Sequence, residues 1–231
     1  MNKPTRIFVA MAVIAGVFVV AFFTIGPAGE KVYASPTEVF KAAAKASAKD
    51  DMKSWCQCVT DGSRDLRAAM GVAMLFDEMQ KPAQAKDDDG KVKARAINDL
   101  FAKYRMSPEF LVGMQGKIEV LFEEKAPLDV KLEVAGALLL PVRDRNAFAA
   151  DLHGALLKYA RRSPLSVIEG FREAQLSDIK PPEGETAQGT MVTERGPPGV
   201  PIFFRKQGEG WRIDLVTSES RRQAPSGMPF Q

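Results

Sequence analysis

The run Val200-Pro201-Ile202-Phe203-Phe204-Arg205-Lys206, then Gln207-Gly208-Glu209-Gly210, then Trp211-Arg212-Ile213-Asp214-Leu215-Val216, decides the fold. In its last segment Trp211, Ile213 and Leu215 point one way while Arg212 and Asp214 point the other. That is the period-2 pattern of a half-buried strand. The segment before it puts Ile202 and Phe204 on one face, with Phe203 and Arg205 on the other. Between the two, Gln207-Gly208-Glu209-Gly210 supplies glycine where a hairpin needs positive φ. If the Trp211 face packs on helices, Arg212 and Asp214 look outward. They then pair across strands with Arg205 or Glu194, contacts worth roughly 0.2–1 kcal/mol each.

Two weaker strands precede the hairpin. Leu176 to Lys180 turns through Pro181-Pro182-Glu183-Gly184 into Thr186 to Glu194, and Arg195-Gly196-Pro197-Pro198-Gly199 leads on to Val200. The result is an antiparallel sheet of about four strands. After it, residues 218–231 are polar and carry Pro225, Gly227 and Pro229, so a disordered tail is expected.

Upstream the chain reads as helices. Ser35-Pro36-Thr37-Glu38 is a capping box with proline at the first helical position. Val39, Phe40, Ala43 and Ala46 or Ser47 then form an apolar stripe. Lys49-Asp50-Asp51 breaks this helix, and a shorter one is expected from Met52 to about Cys58. Thr60-Asp61-Gly62-Ser63 opens a third, with Leu66, Met70, Ala73, Met74 and Phe76 facing inward as core. Pro82 ends it, and Lys86-Asp87-Asp88-Asp89-Gly90 reads as a solvated connector, since the acids lack the alternation of a calcium loop. Ile97, Leu100, Phe101 and Tyr104 sit at helical spacing, and Ser107-Pro108-Glu109 starts a further short helix. From Pro127 to Pro141 the alternation of Leu128, Val130, Leu132 and Val134 suits a strand. The apolar run is too long for one, and its length favours a helix. Asp144 caps an amphipathic helix bearing Phe148, Leu152, Leu156 and Tyr159, ending near Arg161-Arg162. Val167, Ile168 and Phe171 form a short apolar patch after Ser163-Pro164.

The fold class is therefore α+β: a helical body packed on a C-terminal antiparallel sheet. The 231 residues, 45% of them hydrophobic, suit one folded domain plus extras. The 32 basic and 29 acidic residues leave a net charge of +3 without a concentrated basic face, so nucleic acid is not an expected partner.

The N-terminus adds a membrane element. After a stub at 1–6 carrying Lys3 and Arg6, an uncharged run extends from Ile7 to Ile25 through Phe18 and Phe22. At 1.5 Å per residue it spans about 28 Å, close to a bilayer's hydrocarbon core. Twelve of its residues are Ile, Val or Phe, which gives on the order of −5 kcal/mol towards insertion. The basic stub keeps the N-terminus cytoplasmic and places the domain on the far side. A cleaved signal peptide is the alternative, with sites at Gly26-Pro27-Ala28 or at Val32-Tyr33-Ala34 before Ser35. The expected organisation is a span at 7–25, a linker at 26–34 and one domain over 35–217.

A capped N-terminal helix, short helices carrying Trp55-Cys56-Gln57-Cys58-Val59-Thr60, and a meander closing on Gly210-Trp211-Arg212-Ile213-Asp214-Leu215 resemble the nuclear-transport-factor-2-like (SnoaL-like) superfamily. The likeness is greatest to its exported or membrane-tethered bacterial members of unknown function. It covers Ser35 to about Cys58 and Leu176 to Val216; the helices between about 80 and 171 exceed that fold's usual content. The resemblance implies a cone, a curved sheet wrapped on helices around a pocket that holds a substrate, hosts a partner or is filled. It also implies the bacterial inner membrane as location, single-pass, or the periplasm after cleavage.

Few residues suggest chemistry. Cys56 and Cys58 lie about 200° apart on a helix and cannot face one metal, so they read as small buried core residues. His153, the only histidine, is the one weak catalytic candidate, with Asp144 reading as a cap and Asp151 as surface. No phosphate loop or dinucleotide fingerprint appears, and no cofactor or metal is implied. Trp211, Ile213, Leu215, Ile202, Phe204, Phe40, Cys56 and Cys58 are the structural residues. The expected function is a non-catalytic envelope domain that binds a protein partner or a small apolar ligand. A homodimer through Phe203 on the outer sheet face is a further possibility. The alternative is an isomerase, dehydratase or hydrolase using a pocket carboxylate or His153.

Overall fold

The computed structural model describes residues 31–81, 88–193 and 199–218. The predicted span at 7–25, Glu194 and the tail beyond Ser218 lie outside them. Among the described residues no helix is long and apolar enough to cross a membrane. The architecture is α+β, a helical body followed by a four-stranded antiparallel sheet.

Among the described residues seven α-helices come first: α1 Pro36–Ala48, α2 Met52–Cys56, α3 Asp61–Gln80, α4 Asp88–Lys103, α5 Pro108–Ile118, α6 Leu128–Leu138 and α7 Arg145–Tyr159. Short polar side chains begin most of them. Ser35, Asp51, Thr60, Ser107 and Asp144 each accept a backbone N–H three residues on, satisfying a donor that the first helical turn leaves unpaired. At α1 the return arm of the box reaches one residue further back, where Glu38 Oε2 accepts the N–H of Ala34 at 2.8 Å. The segment from 128 is a helix, and its burial explains the misleading alternation. Val134, Ala135 and Leu138 are buried at helical spacing, whereas Leu128 and Val130 stand partly in solvent.

The sheet is a meander of β1 Gln175–Ser177, β2 Thr186–Val192, β3 Val200–Gln207 and β4 Gly210–Asp214, in that spatial order. β1 is shorter than expected because the chain turns at Asp178, which has a φ of 49°. The β3–β4 hairpin pairs Gln207 with Gly210 and has positive φ at Gly208 alone, the first central position, as a II′ turn requires. β4 ends at Asp214, two residues early, because the chain enters one helical turn at 215–218.

One face of the sheet carries Trp211, Ile213, Phe204 and Ile202, all at most 5% exposed, and α1 lies against β4. Beneath them Phe171 joins two rings, 5.6 Å from Phe40 and 5.9 Å from Trp55. A run of 3₁₀ helix at Pro164–Phe171 brings Leu165, Ile168 and Phe171 into this core. This interior is filled by side chains.

The opposite face departs from expectation. Arg212 and Asp214 do not look outward into solvent; they are 3% and 6% exposed, and Phe203 is buried with them at 8%. Two pieces of chain that the strand pattern alone does not reveal account for this. The turn at 215–218 folds back, so that Ser218 Oγ accepts the N–H of Phe203 at 3.0 Å and donates to the carbonyl of Asp214 at 2.7 Å. The segment at 31–34 runs beside β4 and receives the Arg212 guanidinium. The Arg205–Asp214 pair does form, at 3.2 Å. The homodimer through Phe203 loses its premise.

α3 also departs from the reading of its inward face. Its buried stripe is Ala68, Ala69, Val72, Ala73, Leu75 and Phe76, while Leu66, Met70 and Met74 are only half-buried. The helix is packed on several sides, and its small residues take the closest contact. At Gly71 an added Cβ would lie 2.8 Å from Leu156 Cδ1.

Candidate functional site

The single histidine lies on α7, half-buried, with Nδ1 3.0 Å from the hydroxyl of Ser163. Burial pushes its pKa below the usual imidazole value, against the opposing pull of the Glu169 and Asp50 charges. Ser163 is already engaged, because its Oγ accepts the N–H of Leu165 and caps the 3₁₀ run. Among the described residues no carboxylate hydrogen-bonds the ring, so the orienting group of a triad is missing. Asp144 caps α7, and Asp151 accepts the Tyr104 hydroxyl at 2.7 Å and Lys103 Nζ at 2.6 Å. These carboxylates serve local structure.

Both cysteines are free and buried. Cys56 closes α2, and Cys58 lies just beyond it, where Val59 bridges to Ile213. Burial pushes the Cys56 thiol up to about 12 and also raises Cys58, so neither offers a thiolate for attack or metal ligation at neutral pH. Among the described residues no group of three or more His, Cys, Asp or Glu side chains is placed to hold a metal.

A shallow polar pocket of about 220 Å³ opens on the outer sheet face, with Asp214, Arg205, Lys180, Glu183 and Gln188 in its lining. Asp214 is its one buried carboxylate. Both oxygens are occupied: Oδ1 accepts the N–H of Thr217, and Oδ2 accepts the Thr217 hydroxyl and Arg205 Nε. It holds the closing turn against the sheet.

A second concavity has different chemistry. A groove of about 410 Å³ runs between α3, the turn at Phe122 and the start of the 3₁₀ run. Leu66, Met70 and Met74 lie at i, i+4 and i+8 on α3 and line its apolar side; Phe122, 51% exposed, and Val216 add to it. Arg67 and Arg162 stand at this apolar surface. Arg67 Nη1 donates to the carbonyl of Pro164 at 2.6 Å, which fixes that guanidinium at the rim. Arg162 is exposed and has no ion-pair partner among the described residues. The chain reaches this point by reversing after α7, at Arg161 with a φ of 55°.

Unbranched thioethers adapt to the shape of whatever lies on them, and a cation beside apolar surface favours a guest with an anionic group. Sequence reasoning assigned the methionine stripe to the core and passed over Phe122 altogether. The available signal was an aromatic at the end of the apolar run Ile118-Glu119-Val120-Leu121-Phe122, immediately before Glu123 and Glu124. A buried charge cluster was also missed. Arg64 Nε donates to Asp65 at 2.9 Å, Arg145 pairs with the same carboxylate, and Arg64 Nη1 reaches Asn146 at 3.1 Å. With Asp61, whose carboxylate lies 2.8 Å from Arg64 Nη1, these groups join the starts of α3 and α7 and set two carboxylates against two guanidinium groups.

No family model matches this chain, and neither the curated proteins nor the solved structures provide a match.

Proposed function

We propose that this is a non-catalytic domain, exported and held at a bacterial inner membrane by residues 7–25, which binds an apolar segment of a protein partner in the groove of Leu66, Met70, Met74 and Phe122. The observation that carries the reading is the coincidence of a half-exposed methionine stripe, an exposed phenylalanine and an exposed arginine without an ion-pair partner among the described residues, all at one concavity. Isolated exposed apolar side chains need no explanation, but a contiguous concave patch of them does. The reading is favoured over an isomerase, dehydratase or hydrolase because Asp144 and Ser163 are spent on caps, Asp214 on a turn and Asp151 on Tyr104 and Lys103, while the His153 ring meets only the capping Ser163 among the described residues. The cone of the nuclear-transport-factor-2-like superfamily remains part of the proposal, in the form in which the interior is filled and binding occurs outside it.

The test is methionine-methyl NMR during titration with anilinonaphthalene sulfonate, an aromatic anion that mimics the expected guest. The Met70 and Met74 methyl signals shift, while those of the buried Met52 and Met106 stay in place. Arg162→Glu weakens the probe about tenfold, or 1.4 kcal/mol. Unmoved Met70 and Met74 signals, or equal affinity in Met70→Glu, would refute the groove.

A further inference from the structure

The segment at 31–34, assigned to the linker on sequence grounds, is built into the domain. β4 is an edge strand of the sheet, and an edge strand leaves a row of backbone groups unpaired. Here two separate pieces of chain take them up. The N–H of Ile213 donates to the carbonyl of Cys58 at 2.8 Å, and the carbonyl of Ile213 accepts the N–H of Thr60 at 2.9 Å. The remaining outward donor, the N–H of Trp211, goes to the carbonyl of Tyr33 at 2.9 Å.

Side chains hold the same segment. Arg212 Nη2 donates to the carbonyl of Lys31 at 2.9 Å, and its guanidinium lies 5.4 Å from the centre of the Tyr33 ring. The Tyr33 hydroxyl meets Cys58 Sγ at 3.4 Å, and the ring is 9% exposed. Gly210 makes the approach possible, because a Cβ there would stand 3.1 Å from the N of Tyr33 and 2.9 Å from Arg212 Nη1. Arg212 therefore has a purpose that a solvent-facing strand residue would lack. Its buried charge is satisfied by the carbonyls of Lys31 and Trp211.

We infer that residues 31–34 are a permanent edge piece of the folded domain, so that Val32-Tyr33-Ala34 is not a processing site and any peptidase that trims the exported chain acts upstream of Lys31. A cut after Ala34 would remove the partner of the Trp211 N–H and both carbonyl and ring contacts that Lys31 and Tyr33 make to a buried arginine. The other small-residue site, Gly26-Pro27-Ala28, leaves the edge piece whole; a signal-processing peptidase there adds one water across the bond after Ala28. The processing half of this inference rests on the proposed export, whereas the edge piece itself does not. If the chain is uncut, the six steps from Ile25 to Lys31 reach at most about 22 Å. The β4 edge then stays close to the membrane surface.

The experiment takes the full-length gene product as recovered from cells and reads intact mass together with amide hydrogen exchange. The expected mass retains Lys31 to Ala34, and the Trp211 amide is at least 100-fold slower than a free amide, comparable to Ile213. In Tyr33→Ala the Trp211 amide exchanges at least tenfold faster while Ile213 stays slow. If that variant loses its fold, both amides become fast, and the wild-type measurement still decides. A stable mature form beginning at Ser35 overturns the inference, as does a wild-type Trp211 amide that exchanges freely beside a protected Ile213. Failure of the groove titration would leave every one of these readouts unchanged.

Discussion

Replacing Ser63 with alanine should cost far more than the loss of one hydroxyl suggests. Ser63 is fully buried near the start of α3, and its Oγ is the meeting point of two parts of the fold. It accepts the N–H of Leu215 at 3.0 Å, where β4 turns into the closing helical turn, and the hydroxyl of Thr60 at 2.7 Å. Alanine preserves the helix and the volume nearly enough to avoid a cavity, so the effect isolates these donors. A buried amide left without an acceptor costs about 1–3 kcal/mol, and a stranded hydroxyl adds about 1. The expected loss is about 2–4 kcal/mol, a large share of the 5–15 kcal/mol typical of a domain. With a urea dependence of about 2 kcal/mol per molar, the unfolding midpoint falls by about 1–2 M at unchanged slope. Urea titration followed by tryptophan fluorescence reads this directly, since Trp55 and Trp211 are both buried. A loss below about 0.5 kcal/mol, the range of ordinary surface changes, would refute the idea that this hydroxyl joins α3 to the end of the sheet.

Three further outcomes follow from particular contacts. Gly154→Ala, on an open stretch of α7 with nothing near the new Cβ, gains about 1 kcal/mol from helix propensity, whereas Gly71→Ala loses stability because its Cβ would press on Leu156 and Leu152; thermal unfolding of both tests the contrast. His153 has a folded pKa below the ordinary 6.5, so the unfolded chain takes the proton more readily; stability is fully present above about pH 6.5 and falls as the pH drops through it. His153→Gln should remove that decline and leave the one at lower pH from carboxylates such as Glu78, which hydrogen bonds from Lys81 and Lys93 hold below the usual range. Denaturation midpoints between pH 4 and 8 on both proteins check this. Iodoacetamide should leave Cys56 and Cys58 unmodified in the native protein and alkylate both in urea without a reductant; native labelling at either position would contradict their burial.

The helix starts were the most legible part of the fold, for a local reason. A cap is a short-range device in which the side chain and the N–H it accepts lie three residues apart, so Ser35, Thr60, Ser107 and Asp144 could be read without knowing what surrounds them. The β3–β4 hairpin was legible for the same reason, since Gly208 supplies its turn from within the turn. The segment after Pro127 shows the margin of such reading. Its alternation imitated a strand, and only the length of the run weighed towards the helix that forms.

The sequence by itself determined an α+β chain with its helices first and a meander last, and it identified Trp211, Ile213, Phe204 and Ile202 as one apolar face. Those are periodicities within single segments. Whether the other face met water was beyond its reach, because Arg212 and Asp214 alternate as solvent-facing residues do. The tertiary structure decided it through chain some 180 residues upstream of Arg212, at Lys31 and Tyr33, and through a turn folding back after the strand. It likewise turned a methionine stripe that reads as core into one side of a groove. A residue's spacing says which neighbours share its face, but burial depends on what arrives from elsewhere in the chain.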